Sequence, residues 1–296
     1  MPELLAPLID DKDVAARESL AVAYASEGAA CPALEERAAL LRQAEREFTA
    51  VVAARDRVGA TSDADRLAAA RARVAWGSTI LRYSLAPELD RYEISGGLSV
   101  ERDPLRARLA EAAALLSRGE AELSVLSQAV ENDEEKFLLL GLAETIRSLY
   151  AECTLHFGWT LVWRATLESQ GGAGGIEPAS EALRRFDAMA RRATEDGQRH
   201  SAAIGTGVAL RLLGRADESL AVLDRLINEN PPYDVNVRAH CEKGRTLLAA
   251  GRFDEARATL GRLAAVDPAR LAPEHAAARF YVLLAPVLIG DAWLLE

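Results

Sequence analysis

A cysteine and a histidine in one helical pattern are the first candidates for chemistry. Cys153 and His156 are three residues apart, a spacing that can place both side chains beside one metal ion. Structural zinc requires four ligands, and the sequence has no second pair of Cys or His at ligand spacing. His200, His240 and His275 are scattered along the rest of the chain. We therefore predict that the pair is structural and that the protein holds no metal and no cofactor.

Two further motifs have the composition of a reactive site. His240, Cys241 and Glu242 are the residue types of a thiol-based catalytic centre. Adjacent helical residues point in different directions, however, and an activated thiol needs a base within hydrogen-bond distance. The glycine-rich run 171–175 follows a helical pattern and lacks the Lys-Ser/Thr ending of a phosphate-binding loop. We predict a flexible loop there, no catalytic residues and no enzymatic activity.

A cluster of aromatic residues is a candidate for partner binding. Tyr150, Phe157, Trp159 and Trp163 fall within fourteen residues, although the whole chain has only sixteen aromatic residues. Trp159 and Trp163 are four residues apart and share a helix face, where an exposed pair would make a binding hot spot. Packing between long helices is the commoner role of such residues. The sequence leaves both roles open and favours packing.

Charge and cysteine usage narrow the class of protein. With 35 basic and 45 acidic residues the net charge is −10, so the average surface repels nucleic acid. The basic residues are 32 Arg and three Lys, a bias typical of GC-rich bacterial genes. Three distant cysteines imply no disulfide framework. No stretch approaches eighteen uninterrupted apolar residues, so we expect no membrane span and a cytoplasmic location. An exported protein whose signal peptide has been removed would have a sequence of the same kind.

The elements that must position these residues are predicted to be helices. Ala and Leu, both strong helix formers, make up about a third of the chain, and aromatic residues only 5%. No segment shows sustained two-residue alternation, so we predict an all-α protein with no β-sheet. Pro87 is expected to end a helix and to begin an irregular stretch up to residue 103. The predicted helices cover residues 13–27, 32–58, 62–86, 103–131, 133–169 and 178–194.

The last third of the chain contains an internal repeat with an offset of 37 residues. Residues 202–231 share twelve identities with residues 239–268. Chance matches of Ala and Leu do not align two glycines, an Arg, an Asp-Glu pair and a closing proline. A fixed period of this size is typical of a stacked helical array. The identities are Ala202/Ala239, Gly207/Gly244, Leu210/Leu247, Gly214/Gly251, Arg215/Arg252, Asp217/Asp254, Glu218/Glu255, Ala221/Ala258, Leu223/Leu260, Arg225/Arg262, Leu226/Leu263 and Pro231/Pro268.

This repeat resembles the tetratricopeptide repeat family, whose units are two antiparallel helices over about 34 residues. A glycine of the first helix, Gly207 or Gly244, lets the partner helix cross close by. The turns contain Gly214 and Gly251, since glycine can adopt the positive φ of a helix end. The matching positions of the second helices are the acidic starts at Asp217 and Asp254, the small residues Ser219 and Ala256, and the closing prolines Pro231 and Pro268.

The resemblance is clear over about residues 200–268 and weaker elsewhere. Ala203 and His240 occupy the position of a large aromatic residue of the family, and three extra residues fit the connection 231–233. A third copy begins near Pro273, with a turn predicted at Gly290-Asp291. Because the sequence stops soon after, we expect its last helix to be missing or the chain to be a fragment.

The upstream helices keep the alternating order without the signature. Residues 13–27 pair with 32–58, and 133–169 pair with 178–194. We therefore predict degenerate repeats with long helices over residues 1–170. These are expected to continue into the repeats of residues 177–296 as one right-handed α-solenoid.

What the resemblance implies about function is binding rather than catalysis. Such solenoids usually present an extended concave surface to another chain. The first hypothesis is a non-enzymatic scaffold or adaptor that binds a protein or peptide. The alternative is a sensory or regulatory domain that binds a peptide or small ligand. A closed apolar cavity would favour the second hypothesis and an open polar groove the first.

The family also implies where a partner would bind, because the first helix of each pair lines the concave face. Three arginines there, Arg211, Arg238 and Arg245, reverse the overall charge locally and suit an acidic partner. Alternatively, they pair with acidic neighbours on adjacent helices. The Lys/Asn carboxylate clamp of chaperone-binding relatives is absent, so a chaperone tail is not the implied partner. The other positions on this face are Ser201, Ile204, Val208, Cys241 and Leu248, with His275 aligned in the third copy.

Overall fold

A computed structural model describes residues 13–31, 34–59, 61–95, 101–169, 173–193, 195–272 and 275–295. Within these ranges every regular element is helical and there is no strand, which confirms the predicted all-α fold. The chain divides into two compact units, Met1–Leu89 with Asp103–His156 and Asp90–Arg102 with Phe157–Glu296. The predicted domain division near residue 170 stays a prediction.

Thirteen α-helices are numbered here along the described residues. The first seven are α1 (Val14–Ala30), α2 (Leu34–Val58), α3 (Asp63–Thr79), α4 (Ala86–Ile94), α5 (Arg102–Asn132), α6 (Glu134–Leu139) and α7 (Ala143–Ser169). The remainder are α8 (Ile176–Arg192), α9 (Asp196–Leu212), α10 (Ala216–Asn228), α11 (Tyr233–Ala249), α12 (Phe253–Ala264) and α13 (Ala276–Leu295).

The predicted helix end at Pro87 is wrong. The chain continues from α3 through a π-helical turn, Ile80–Leu85, into α4. In that turn the Ala86 N–H donates to the carbonyl of Leu81, five residues earlier. Proline lacks an N–H and cannot make the hydrogen bond to the carbonyl four residues earlier. The π-helical turn directly before Pro87 has already moved the hydrogen bonding from four residues to five, and the chain remains helical through Pro87.

Two other predicted boundaries are also wrong. The pattern 133–169 is not one helix, because α6 ends before Gly141, whose φ is +66°. The turn predicted at Gly290-Asp291 is absent, since α13 is helical through both residues. A glycine in a helix interior costs only about 1 kcal/mol relative to alanine, which the Ala- and Leu-rich neighbours of Gly290 tolerate.

The repeat of the second unit folds as the sequence predicts. Gly214 and Gly251 have φ of +74° and +70°. Each follows a first helix, α9 or α11, in a Schellman turn: the Arg215 N–H donates to Leu210 O at 2.9 Å, and the Arg252 N–H to Leu247 O at 2.9 Å. The two turns therefore have the same backbone geometry 37 residues apart.

Close helix crossings hold each repeated pair together. A Cβ on Gly207 would lie 2.9 Å from Leu223 Cγ, and one on Gly244 would lie 2.5 Å from Leu260 Cγ. Leu223 and Leu260 are fully buried. The absent side chains therefore make room for the leucine of the second helix, as predicted for both copies.

The last described helix, α13, packs on the repeat through one face. Its Ala278, Val282 and Ala285 are buried against Val237 of α11 and Leu260 of α12. By length and composition alone, Ala278–Leu295 is the one described segment apolar enough to cross a membrane. Only 28% of that segment is buried, and the absence of a membrane span stays a prediction.

A candidate binding cleft on the first helices of the repeats

A small cleft lies in the second unit, on the first helices of successive pairs. Its cavity volume is about 30 Å³. The helices α7, α9, α11 and α13 all contribute to its wall, whereas α8, α10 and α12 do not. The cleft is therefore on the face where the family resemblance places partner binding. Its lining residues are Trp159, Val162, Trp163, Thr166, Val208, Arg211, Arg238, Glu242, Arg245, Phe280 and Tyr281.

A buried carboxylate organises the charges of the cleft. Glu242 of α11 is only 4% exposed. Arg211 Nη2, from α9, donates to its Oε2 at 3.0 Å, and Arg245 Nη1 donates to its Oε1 at 3.1 Å. Both carboxylate oxygens thus have a guanidinium partner. The pairing of Arg211 with an acidic residue on an adjacent helix, left open by the sequence, is confirmed, whereas Arg245 pairs with Glu242 within its own helix.

Glu242 remains ionised because three arginines surround it. Burial raises the pKa of Glu242, but the charges of Arg245, Arg211 and Arg238 outweigh burial and lower that pKa. One carboxylate faces three guanidinium groups, so the cleft has an excess of positive charge. A second anion entering the cleft would meet that excess in a partly dry environment.

Arg238 connects the charges to the aromatic wall. Its guanidinium carbon lies 4.1 Å from the centroid of the Trp159 ring and 5.7 Å from that of Tyr281. These distances are within the range of cation–π attraction. The Nε of Arg238 is buried and has no hydrogen-bond partner among the described side chains. The wall therefore fixes the position of this guanidinium while leaving a donor unused.

Trp159 is mainly a packing residue. It is 8% exposed, its Nε1 donates to Ser201 Oγ at 3.2 Å, and its ring contacts Phe186 edge-on at 5.5 Å. Trp163, one helical turn later, is half-buried. The core packing favoured by the sequence is confirmed for Trp159, which also presents its ring to Arg238.

The structure brings together most of the residues predicted to face a partner. Trp159, Trp163, Val208, Arg211, Arg238 and Arg245 line the one cleft. Ile204 is only 2% exposed and does not line it. Leu248 is half-buried and lines a neighbouring recess with Arg211 and Arg245. Whether these side chains bind a partner stays a prediction.

The other positions predicted on this face serve local contacts. Ser201 accepts the Trp159 hydrogen bond, and Cys241 is fully buried. His275 lies beside α11, with its Nδ1 3.2 Å from Asp234 Oδ1 and its ring against Tyr233 at 4.7 Å. These contacts explain why the three positions do not line the cleft.

Sequence reasoning missed Glu242 and the aromatic pair Phe280 and Tyr281 as members of the cleft. Glu242 is four residues after Arg238 and three before Arg245, a spacing that indicates ion pairing on one helix face. That signal was available in the sequence. The position of Phe280 and Tyr281 depends on the register of α13, which the repeat does not define.

The remaining candidates for chemistry have structural contacts. Cys153 Sγ donates to Leu116 O at 3.4 Å, and the buried His156 Nε2 lies 2.8 Å from Arg82 Nη2 and 3.5 Å from Glu152 Oε1. The hydrogen bond with His156 lowers the pKa of Glu152 despite its burial. Across the described part of the chain, no group of three or more His, Cys, Asp or Glu is placed to hold a metal. The absence of a metal stays a prediction.

The glycine run and the His-Cys-Glu motif show no catalytic arrangement in the part that the structure describes. Ala173–Gly175 forms a 3-10 turn before α8, while residues 170–172 lie outside the described residues. Burial, then the charges of Lys243 and Arg262, lower the pKa of His240. Cys241 is buried, and Glu242 is ion-paired with Arg211.

Residues 210–279 match the family model described as Tetratricopeptide repeat. The match covers the turns at Gly214 and Gly251 and extends into the start of α13. It therefore confirms the family to which the repeated segment was compared. No curated protein matches the chain significantly.

Proposed function

We propose that this chain is a non-enzymatic scaffold or adaptor that binds a protein or peptide through the cleft around Glu242. The observation that carries the proposal is that the first helices of three successive pairs, α7, α9 and α11, line this cleft together with the next helix, α13. Tetratricopeptide repeats generally mediate protein–protein interactions. Solenoids of this kind use the concave face for that purpose.

The charges of the cleft support an acidic partner. Arg211, Arg238 and Arg245 surround a single carboxylate, so the local charge is opposite to the net charge of −10. A guanidinium can donate two parallel hydrogen bonds to a carboxylate. The aromatic wall suits an apolar residue beside that carboxylate. We therefore propose a peptide segment with an acidic group next to an apolar side chain.

The alternative, a sensory domain that encloses a small ligand, is less well supported. The cavity volume of about 30 Å³ is only two to three times the roughly 10–15 Å³ that a single water molecule needs. A cleft of that volume accepts the end of a side chain but does not enclose a metabolite. Cys31, Cys153 and Cys241 form no disulfide, which suits a reducing compartment, and a cytoplasmic location is part of the proposal.

Selection from a displayed random peptide library on the full chain tests this function. The enriched peptides should contain Asp or Glu beside an apolar residue. A labelled copy of one such peptide should bind at least tenfold more weakly to the variant with Arg238→Glu and Arg245→Glu, and its affinity for the unmodified chain should fall with salt.

A matched control comes from the second helices. Arg225 and Arg262 are exposed and occupy equivalent positions of α10 and α12. Arg225→Glu with Arg262→Glu changes the net charge by the same amount away from the cleft and should leave the affinity within twofold. Circular dichroism must show equal helicity for both variants. Equal binding by the cleft variant and the control would reject the cleft as the binding site.

A further inference from the structure

The outer face of α13 is apolar although it is exposed. Leu283 is 51% exposed and Val287 is 37% exposed, while the inner face packs against α11 and α12. In the two clear repeats a second helix covers the first, α10 on α9 and α12 on α11. Among the described residues no second helix follows α13. Contiguous exposed apolar side chains mark interaction surfaces, so this face indicates a covering partner.

Four exposed side chains form one ridge along that face. Arg279, Leu283, Val287 and Asp291 are each four residues apart, and all four are exposed. The order is a positive charge, two aliphatic groups and a negative charge. Ridges with a spacing of four residues are the ones that interdigitate in the commonest class of helix packing.

The order of charges makes the ridge complementary to a second copy of itself. In an antiparallel pair related by a two-fold axis between Leu283 and Val287, each Leu283 lies opposite the Val287 of the other copy. The same register places each Arg279 opposite the other copy's Asp291. Two ion pairs would thus flank four aliphatic side chains. Gly290 lies next to the ridge, and a Cβ built on it would have no atom within 4 Å. The space beside the ridge can therefore accept the side chains of the second copy.

We propose that α13 pairs with α13 of a second copy as an antiparallel two-fold helix pair. A two-fold interface uses the same surface on both subunits, which is the commonest form of homo-oligomer. The pairing buries the apolar outer face that the fold leaves exposed. It goes beyond peptide binding in the cleft and does not depend on it.

Sedimentation velocity of the full chain over a range of concentrations tests the pairing. We expect a reversible monomer–dimer equilibrium. Leu283→Glu should abolish the dimer, because it buries two carboxylates opposite aliphatic groups. Arg279→Asp alone and Asp291→Arg alone should each weaken dimerisation about tenfold, because like charges then face each other. The variant with both changes should regain most of the original affinity, because the ion pairs are restored with reversed sign.

Val58→Glu is the matched control, since Val58 is an aliphatic residue of α2 that is 71% exposed. It should leave the equilibrium unchanged. A chain that is monomeric at every concentration, or a dimer that Leu283→Glu leaves intact, would overturn the proposal. If the chain does not dimerise but sediments with phosphatidylcholine vesicles, and Leu283→Glu abolishes that sedimentation, the face binds a membrane instead. Arg238→Glu in the cleft should not affect dimerisation. Failure of the α13 pairing can therefore be distinguished from failure of peptide binding in the cleft.

Discussion

The turn between α6 and α7 in the first unit has the same backbone as the turns of the recognised repeats. The Leu142 N–H donates to Phe137 O at 2.9 Å, and Gly141 N–H to Leu138 O at 3.0 Å. The following helix begins two residues after Gly141, as it does after Gly214 and Gly251. The family match nevertheless covers only residues 210–279.

What differs between the two regions is the side chains around the turn. In the repeats a bidentate ion pair follows the glycine: Arg215 Nε and Nη2 bind Glu218 at 2.7 and 2.6 Å. Arg252 binds Glu255 with the same two distances. Gly141 is followed by Leu142, and the three leucines before it, Leu138–Leu140, are at least 59% exposed. A glycine thus defines the helical hairpin, whereas the family signature resides in the side chains.

The charge networks of the two regions sharpen this comparison. In the first unit, the buried Glu18 accepts from Arg71 Nε at 2.8 Å, and its other carboxylate oxygen lies 4.0 Å from Arg55 Nη2. In the second unit, two guanidinium groups bind Glu242 directly. Both carboxylates are less than 10% exposed and each has two guanidinium partners, but the charge of a third arginine, Arg238, also acts on Glu242. This additional cation lines the cleft, where it can meet an incoming anion.

The largest expected effect comes from removing the charge of Glu242. Glu242→Gln leaves Arg211 and Arg245 facing each other without a counterion and should lower the free energy of unfolding by about 3 kcal/mol at neutral pH. Because the folded state lowers the pKa of Glu242 below its ordinary 4.5, the stabilisation is complete above that pH and is lost as the pH falls. Urea unfolding at several pH values should show the difference between the two proteins shrinking in acid. A constant difference would contradict the role of the ion pairs.

Filling the close crossing of a repeat should have the next largest effect. The Cβ of Gly244→Ala would lie 2.5 Å from the fully buried Leu260, so the helices must separate and stability should fall by about 2 kcal/mol. The control is Gly261→Ala in α12, where a Cβ has no neighbour within 4 Å and should stabilise the helix by up to about 1 kcal/mol. Thermal unfolding of the two variants should therefore shift in opposite directions.

The shared turn geometry predicts an equal effect in both regions. Alanine at Gly141, Gly214 or Gly251 must adopt a positive φ, which costs about 1 kcal/mol at each position. Peptide-resolved hydrogen exchange should show faster exchange around each altered turn by a similar factor. If Gly141→Ala were neutral while the other two destabilise, the resemblance of the first turn to the repeats would be only superficial.

The smallest effect is expected from the ion pairs that distinguish the repeat turns. Arg215→Ala and Arg252→Ala each remove an exposed pair with Glu218 or Glu255. Exposed pairs add little stability in water and are screened by salt. In low salt, the midpoint of urea unfolding of each variant should lie at a slightly lower urea concentration than that of the unmodified chain. High salt should remove that difference. A large loss that persists in high salt would show that these arginines pack as well as pair.

These contrasts explain how much the sequence could predict. Gly214 and Gly251 were predictable because a period of 37 residues repeated both the glycine and its neighbours. Gly141 was missed because the leucines around it continue the helical pattern that α6 begins. Pro87 was misread because a preceding π-helical turn changes the hydrogen-bond register, and no local residue type signals that turn. The cleft was predictable on one face of α9 and α11, but the contribution of α13 depended on packing between distant segments.

The contact between Arg238 and Trp159 gives the cleft an optical signal of its own. The emission of an indole depends on the charge and polarity beside its ring, and here a guanidinium lies 4.1 Å from the ring centroid. Any occupant that draws Arg238 toward an anion would change that emission. The chain has four tryptophans, so replacing Trp76, Trp163 and Trp293 by phenylalanine would leave Trp159 as the only indole fluorophore. Occupancy of the cleft then becomes a change in fluorescence that needs no added label.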